Sequence, residues 1–280
     1  MYWMRTIWAG DYCLVKKCTP KGFGAPLKQR IKRHKETPET MIKYNNQKRA
    51  EKIQLLILAN FKKGYHATLD YPKEKRPETY EEAEKNLQTT LYKVSRRLKR
   101  QGKQFKYIAV TERGKKAAAL HHHLIIERDE DVVHELFEIW GDRIHLSVMY
   151  DEGQYKDLAE YLVKIETKEE QTKGRSKYHR SRNLKKPLEK SGLCSGSFDE
   201  EPMIPEGYEY VEGTLRNGIN EVIGIRYQHY MLKKLPDMRP CPPGNGKEDK
   251  KCIKRESIFT RLKNKLLRRH HEDRGIHTLQ

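Results

Sequence analysis

Three consecutive histidines, His121, His122 and His123, lie inside the apolar run Leu120–Ile126. On a β-strand, side chains alternate between two faces. Leu120, His122, Leu124 and Ile126 then share an apolar face, which makes His122 a core histidine. His121 and His123 share the other face, close enough together to chelate one metal ion. Imidazole ligands suit Zn, Mn, Ni and Cu rather than a dedicated calcium site. Glu112 is the candidate third ligand: it ends the preceding strand, just before the short turn into the histidine strand. Either feature alone would pass for ordinary strand surface. Two histidines in register beside an apolar run and behind a carboxylate argue for metal binding.

A nucleophile is available on a later segment. Residues 154–168 have helical spacing, with Leu158, Leu162 and Ile165 as the buried stripe. Tyr161 lies at the edge of that stripe, Lys164 is three residues on and on the same side, and Asp157 is one turn back. A phenol with a reference pKa of about 10 is a poor nucleophile at neutral pH. A neighbouring ammonium favours the phenolate, and its attack on phosphorus would give a covalent phosphotyrosine. By itself Tyr-x-x-Lys describes a core-margin tyrosine beside a solvated lysine. Together with Glu112, His121 and His123 it sets a nucleophile opposite an ion able to polarise a phosphate.

These residues need a scaffold, and the hydrophobic periods supply one. Thr37-Pro38-Glu39 opens a helix that runs to about Phe61, with Thr37 as N-cap. Tyr65–Tyr71 alternates as a strand, with Tyr65, Ala67, Leu69 and Tyr71 on one side and His66, Thr68 and Asp70 on the other. A helix over 78–100 follows, then strands over 104–112 and 117–127, a helix from Val132 to Trp140 stopped by Gly141, a strand over 143–150 and the helix over 154–168. The tight link between the second and third strands requires antiparallel pairing. The expected fold class is α+β, a central antiparallel sheet with packed helices. Three regions are expected: 1–60 as an irregular basic arm (1–36) and helix, 61–200 as the catalytic domain, and 201–280 as a C-terminal hairpin (208–213 with 221–230) and basic tail. Residues 191–206 are expected to be a loop.

The net charge is +19, from 58 Lys plus Arg against 39 Asp plus Glu. That excess favours a polyanion. The basic run 173–186 offers Arg175, Lys177, Arg180 and Arg182 to a phosphate backbone and Tyr178 to a base. Five irregularly spaced cysteines and no visible secretion signal point to reduced thiols and a cytoplasmic setting. A zinc site from Cys241, Cys252, His270 and His271 has no Cys-x2-Cys knuckle behind it. No stretch is apolar enough to span a membrane. Gly244-Asn245-Gly246-Lys247 is followed by Glu248 and is not a nucleotide-binding loop. The tail after Pro236 reads equally as a non-specific DNA arm or a solvated extension.

In the order and spacing of these motifs the chain resembles the HUH endonucleases, specifically the rolling-circle replication initiators of small phages, plasmids and integrated elements of bacteria. The resemblance is carried by Asn60-Phe61 with Ala67–Tyr71, by Tyr107–Glu112, by His121–Ile126, by Tyr161–Lys164 and by Ser181–Pro187. It departs from the pattern in its central His122, where an apolar residue is usual, and in Asp157, where some relatives carry a second tyrosine. The resemblance implies an RRM-like palm, a site of Glu112, His121 and His123 holding Mg or Mn, and Tyr161 as single nucleophile. Lys164 would either orient the ion's surroundings or neutralise the phosphate. It also implies nicking and joining of single-stranded or hairpin origin DNA through a 5′-phosphotyrosine. A host helicase and polymerase would be partners, in a bacterial cytoplasm. A single-tyrosine transposase and a non-catalytic DNA-binding protein are the competing expectations.

Overall fold

A computed structural model describes residues 1–20, 39–114, 119–150, 152–164, 178–220 and 225–236. The chain divides into two units, one of residues 1–30 with 188–280 and one of residues 31–187. Among the described residues no helix is long and apolar enough to cross a membrane.

The unit of residues 31–187 is built on a five-stranded sheet. Its strands are β3 (Gly64–Leu69), β4 (Tyr107–Arg113), β5 (Leu120–Glu127), β6 (Ile144–Val148) and the short β7 (His179–Arg180), in the order β6-β3-β5-β4-β7. Every pairing is antiparallel. The histidine strand β5 is central, so both of its faces are covered or functional. Its helices are α1 (Glu39–Asn60), α2 (Tyr80–Arg100), α3 (Glu130–Trp140) and α4 (Lys156–Lys164). This is the expected α+β arrangement of antiparallel sheet and packed helices.

One face of the sheet is sealed by α2 and α3. Leu87, Leu91, Val94 and Leu98 of α2 repeat at helical spacing and are buried against Ala67, Leu69, Ala109, Leu124 and Ile126 of the strands. Thr79 caps α2, its hydroxyl accepting from the Glu82 amide at 3.2 Å. Asp129 caps α3 in the same way. Gly141 ends α3 at φ 100, where a Cβ would be strained. Glu135 is buried at the junction of the two helices and is held by Arg97 and by Gln101 at 3.1 and 2.8 Å. A buried carboxylate is tolerable only with such partners.

Helices α1 and α4 pack against each other. In α1, Ile53, Leu56 and Ile57 are buried as the sequence suggests. The buried stripe of α4 is Ala159, Leu162 and Val163, whereas Leu158 is only half-buried, so the helix is turned relative to the expected Leu158–Leu162–Ile165 stripe. Ile165, Thr37 and Pro38 lie outside the described residues.

The unit of residues 1–30 and 188–280 corrects the reading of the chain's ends. Residues 1–18 are not an irregular arm. They form a hairpin of β1 (Tyr2–Ala9) and β2 (Tyr12–Cys18) around Gly10-Asp11, with Gly10 at φ 62. Aromatic and β-branched residues dominate these strands, and the Gly-Asp pair between them is a hairpin signal. The expected loop 191–206 begins as strand β8 (Leu188–Cys194), which pairs with β1. The expected terminal hairpin is shifted. It is formed by β10 (Arg216–Asn220) and β11 (Ile225–Lys234), while β9 (Tyr208–Tyr210) pairs with the far end of β11. The strand order is β10-β11-β2-β1-β8. Cys13, Val15, Tyr230 and Leu232 form its core.

Candidate metal centre

Strand register builds the site. Glu112 of β4 lies directly opposite His121 of β5, and Thr68 of β3 lies opposite His123. Residues opposite one another in an antiparallel pair project from the same face. Glu112, His121, His123, His66 and Thr68 therefore converge on the face away from α2 and α3. His122 points the other way. It is fully buried, its Nε2 lies 2.7 Å from the Tyr71 hydroxyl and its Nδ1 3.0 Å from Thr111 Oγ1. Burial, and secondarily the charge of its neighbours, drops its pKa to about 3, so it is a neutral core histidine.

Three ligand atoms meet. His123 Nε2 is 2.8 Å from Glu112 Oε2, His121 Nε2 is 3.4 Å from the same oxygen, and the two Nε2 atoms are 3.1 Å apart. Adjacent ligands of an octahedral ion bound at about 2.1 Å lie roughly 3 Å apart, so the triangle fits one face of such a shell. The ring nitrogens on the far sides are engaged elsewhere. His121 Nδ1 faces the Ala119 carbonyl at 3.4 Å, and His123 Nδ1 faces His66 Nε2 at 3.1 Å and Thr68 Oγ1 at 3.4 Å. A histidine that donates from Nδ1 presents the lone pair of Nε2. Glu112, His121 and His123 could thus hold a metal ion.

The charges are consistent with that donor set. Burial alone would raise the Glu112 carboxyl, but hydrogen bonds from His121 and His123 and their positive charge hold it down to about 2. His121 is raised, first by its hydrogen bond to Glu112. His66 is pushed down to about 4 by burial and by His123, so it stays neutral and can accept the His123 proton.

Tyr161 of α4 reaches the same point. Its hydroxyl lies 3.3 Å from Glu112 Oε2 and 3.3 Å from His123 Nε2, with the ring edge-on to His123. The ring remains 43% exposed, so a substrate has access to it. Here the electrostatics reverse the sequence-based argument. The Tyr161 phenol is raised, by burial and then by the charge and hydrogen bond of Glu112. Lys164 closes α4. The turn Glu152–Tyr155 that leads into α4 carries two left-handed residues, Gln154 (φ 53) and Tyr155 (φ 57). Such residues cost on the order of 1–3 kcal/mol each and persist only when their surroundings hold them. Tyr155 is buried, and Gln54 of α1 donates to the Gln154 carbonyl at 2.9 Å.

The basic segment runs along the sheet edge. Arg180 is the register partner of Ile108 and so projects from the face that carries Glu112. Arg182 is exposed, and Tyr178 is half-buried. Arg175 and Lys177 lie outside the described residues, as do Cys241, Cys252, His270 and His271. The segment is clamped by Asn60, whose side chain accepts from the Lys185 amide at 2.7 Å and donates to the Lys185 carbonyl at 2.9 Å. The sequence reading missed His66 as a site residue. It was legible only as a polar position on β3, and its meaning depends on the β3–β5 register.

An α+β unit with a Glu-His-His cluster under an exposed tyrosine defines the class of protein. Residues 64–171 match the family model for replication-associated proteins of the ORF2 and gene 2 protein type, a match consistent with a rolling-circle replication initiator. It runs from the first residue of β3 beyond the last of α4 and so includes all five residues of the cluster and its tyrosine. No curated protein and no solved structure matches the chain.

Proposed function

We propose that the chain is a metal-dependent nickase and strand transferase of the HUH type that initiates rolling-circle DNA replication. The observation that carries this is the position of the Tyr161 hydroxyl, 3.3 Å from two of the three converging donor atoms. Glu112, His121 and His123 would hold Mg or Mn, which supplies a Lewis acid for the scissile phosphate of single-stranded or hairpin origin DNA. In this reading Tyr161 Oη attacks the phosphorus. The bond to the 3′ oxygen breaks, leaving a free 3′-OH for a polymerase and a 5′-phosphotyrosine. The reverse attack by a 3′-OH rejoins the strand. Before attack, the phenol proton is oriented toward Glu112, the acceptor it already faces. Lys164 would assist Tyr161 or the phosphate. Arg180 and Arg182, with Arg175 and Lys177, would hold the backbone, and Tyr178 would stack on a base. Catalysis is assigned to the unit of residues 31–187, and a host helicase would open the duplex.

The test is incubation of the protein with Mn and a labelled single-stranded oligonucleotide from its own upstream DNA, followed by intact mass spectrometry. A covalent adduct is expected for the wild type and none for Tyr161→Phe. An adduct on the Phe variant would show that Tyr161 is not the nucleophile.

A further inference from the structure

The second unit has an exposed sheet face that the proposed reaction does not use. Its geometry follows from register. Leu193 of β8, Trp3 of β1, Cys18 of β2, Tyr227 of β11 and Gly218 of β10 are consecutive cross-strand partners and form one row. The next row on the same face is Ser191, Arg5, Lys16, His229 and Arg216. The opposite face of these strands carries the core residues Cys13, Val15, Tyr230 and Leu232. An aromatic row thus lies directly beside a basic row on the face away from the core.

Both rows reach solvent. Trp3 is 48% exposed and Leu193 45%, and Arg216 is exposed at the end of the basic row. The Tyr227 ring lies across the neighbouring strand above Gly218, whose missing side chain makes room for it: a Cβ there would sit 3.3 Å from the hydroxyl. Tyr227 also packs beside His229, with ring centroids 5.5 Å apart. One acid is present. Glu189 bonds Arg5 at 2.6 Å and neutralises part of the basic row. Lys16 and Arg216 add positive charge to the row, in a chain of net charge +19.

We infer that this face is a stacking platform for single-stranded nucleic acid. Strands about 4.8 Å apart set Trp3 and Tyr227, two strands apart, roughly 10 Å from each other. Rings on an open sheet surface accept unpaired bases by stacking, while an adjacent basic row tracks the phosphates. A duplex keeps its bases stacked on each other and offers no faces to such rings. The pairing of rings with a basic row is the chemistry of a base joined to a phosphate. The inference concerns the same polymer as the proposed reaction but uses none of its residues.

The test uses the full chain and a short fluorescein-labelled oligothymidylate in EDTA, read by anisotropy and by tryptophan fluorescence. Binding is expected to quench the Trp3 emission. Trp3→Ala should weaken binding about tenfold. Trp3→Phe should keep most of the affinity and lose the quench. Arg216→Gln should lower the salt dependence by about one counterion. Circular dichroism and a cooperative melt establish that each variant is folded. Unchanged affinity and unchanged quench in folded Trp3→Ala would overturn the platform, as would equal competition by a duplex of the same length. The nicking assay with Mn runs in parallel. Quench without any wild-type adduct would sink the nuclease reading and leave the platform standing. Adduct formation with no effect of Trp3 or Arg216 on binding would do the reverse.

Discussion

The Tyr161 hydroxyl and the Glu112 carboxylate face each other across 3.3 Å, and Glu112 Oε2 is the same oxygen that His123 meets at 2.8 Å. Without an ion this pairing raises the phenol pKa, burial contributing first and the Glu112 charge next. Glu112→Gln removes that charge while keeping the side chain's shape. In metal-free protein the Tyr161 phenol is expected to ionise at lower pH in Glu112→Gln than in wild type. NMR of ring-labelled tyrosine, assigned with Tyr161→Phe, would measure it. No change would mean that Glu112 does not control the phenol.

Metal removal gives a second prediction. A ligand that binds only the folded state stabilises it by RT ln(1 + [L]/Kd), about 2.7 kcal/mol at a hundredfold excess over Kd. Mn should therefore raise the melting temperature and EDTA should reverse the rise. His121→Ala, His123→Ala and Glu112→Ala should each abolish the effect and the calorimetric site. Persistence of the site in all three variants would rule out this ligand triad.

His66 offers a third. Its Nε2 lies 3.1 Å from His123 Nδ1 and is neutral near pH 7 because its pKa lies near 4. It should fix the tautomer in which His123 Nε2 faces the ion. His66→Phe is expected to weaken Mn binding about tenfold, the range found when such supporting groups are lost. His66→Gln, which keeps an acceptor, should recover most of it. Equal affinities in calorimetry would reduce His66 to packing.

Lys17, in the other unit, gives the pH prediction. It is 1% exposed, and its Nζ lies 5.2 Å from the Tyr230 ring centroid and 5.9 Å from that of Phe198. Burial lowers its pKa to about 8, with the charges of Asp199 and Cys194 opposing the shift. Between pH 8 and its unfolded value near 10.5 the unfolded chain holds a proton that the folded chain lacks. This group's contribution to stability therefore rises with pH across that window. At pH 7 the buried charge costs roughly 3 kcal/mol. Lys17→Met should be more stable than wild type at pH 7 by a measurable part of that. The gap should close toward pH 10.5, as followed by urea denaturation. A gap independent of pH would show that the ammonium is not the cause.

The cluster was legible because its logic is local. Alternation along β5 separates His122 from His121 and His123 without any knowledge of tertiary structure, and a tight turn brings Glu112 back alongside. The helix that carries Tyr161 was legible by period, although its buried stripe is turned to Ala159, Leu162 and Val163. The unit at the chain ends was not legible. Strand β1 pairs with β8, and β2 with β11, across nearly the whole length of the sequence. β8 itself, Leu-Glu-Lys-Ser-Gly-Leu-Cys, has almost no strand signature. Its conformation comes from its partner, since tertiary context outweighs propensity in such segments. The ionisation of Tyr161 was misjudged for a similar reason. Lys164 is its neighbour in sequence, but Glu112, 49 residues away, is its hydrogen-bond partner.

A strand of three identical side chains has an addressing problem. Slipping β5 by one position would leave imidazole facing imidazole at nearly every step, yet it would deliver one histidine to the ion and two to the core. The buried contacts of His122 with Tyr71 and Thr111 resolve the ambiguity, because only one alignment gives the middle ring both partners. The histidine that never meets the substrate thereby acts as the ruler that tells its two neighbours where to stand.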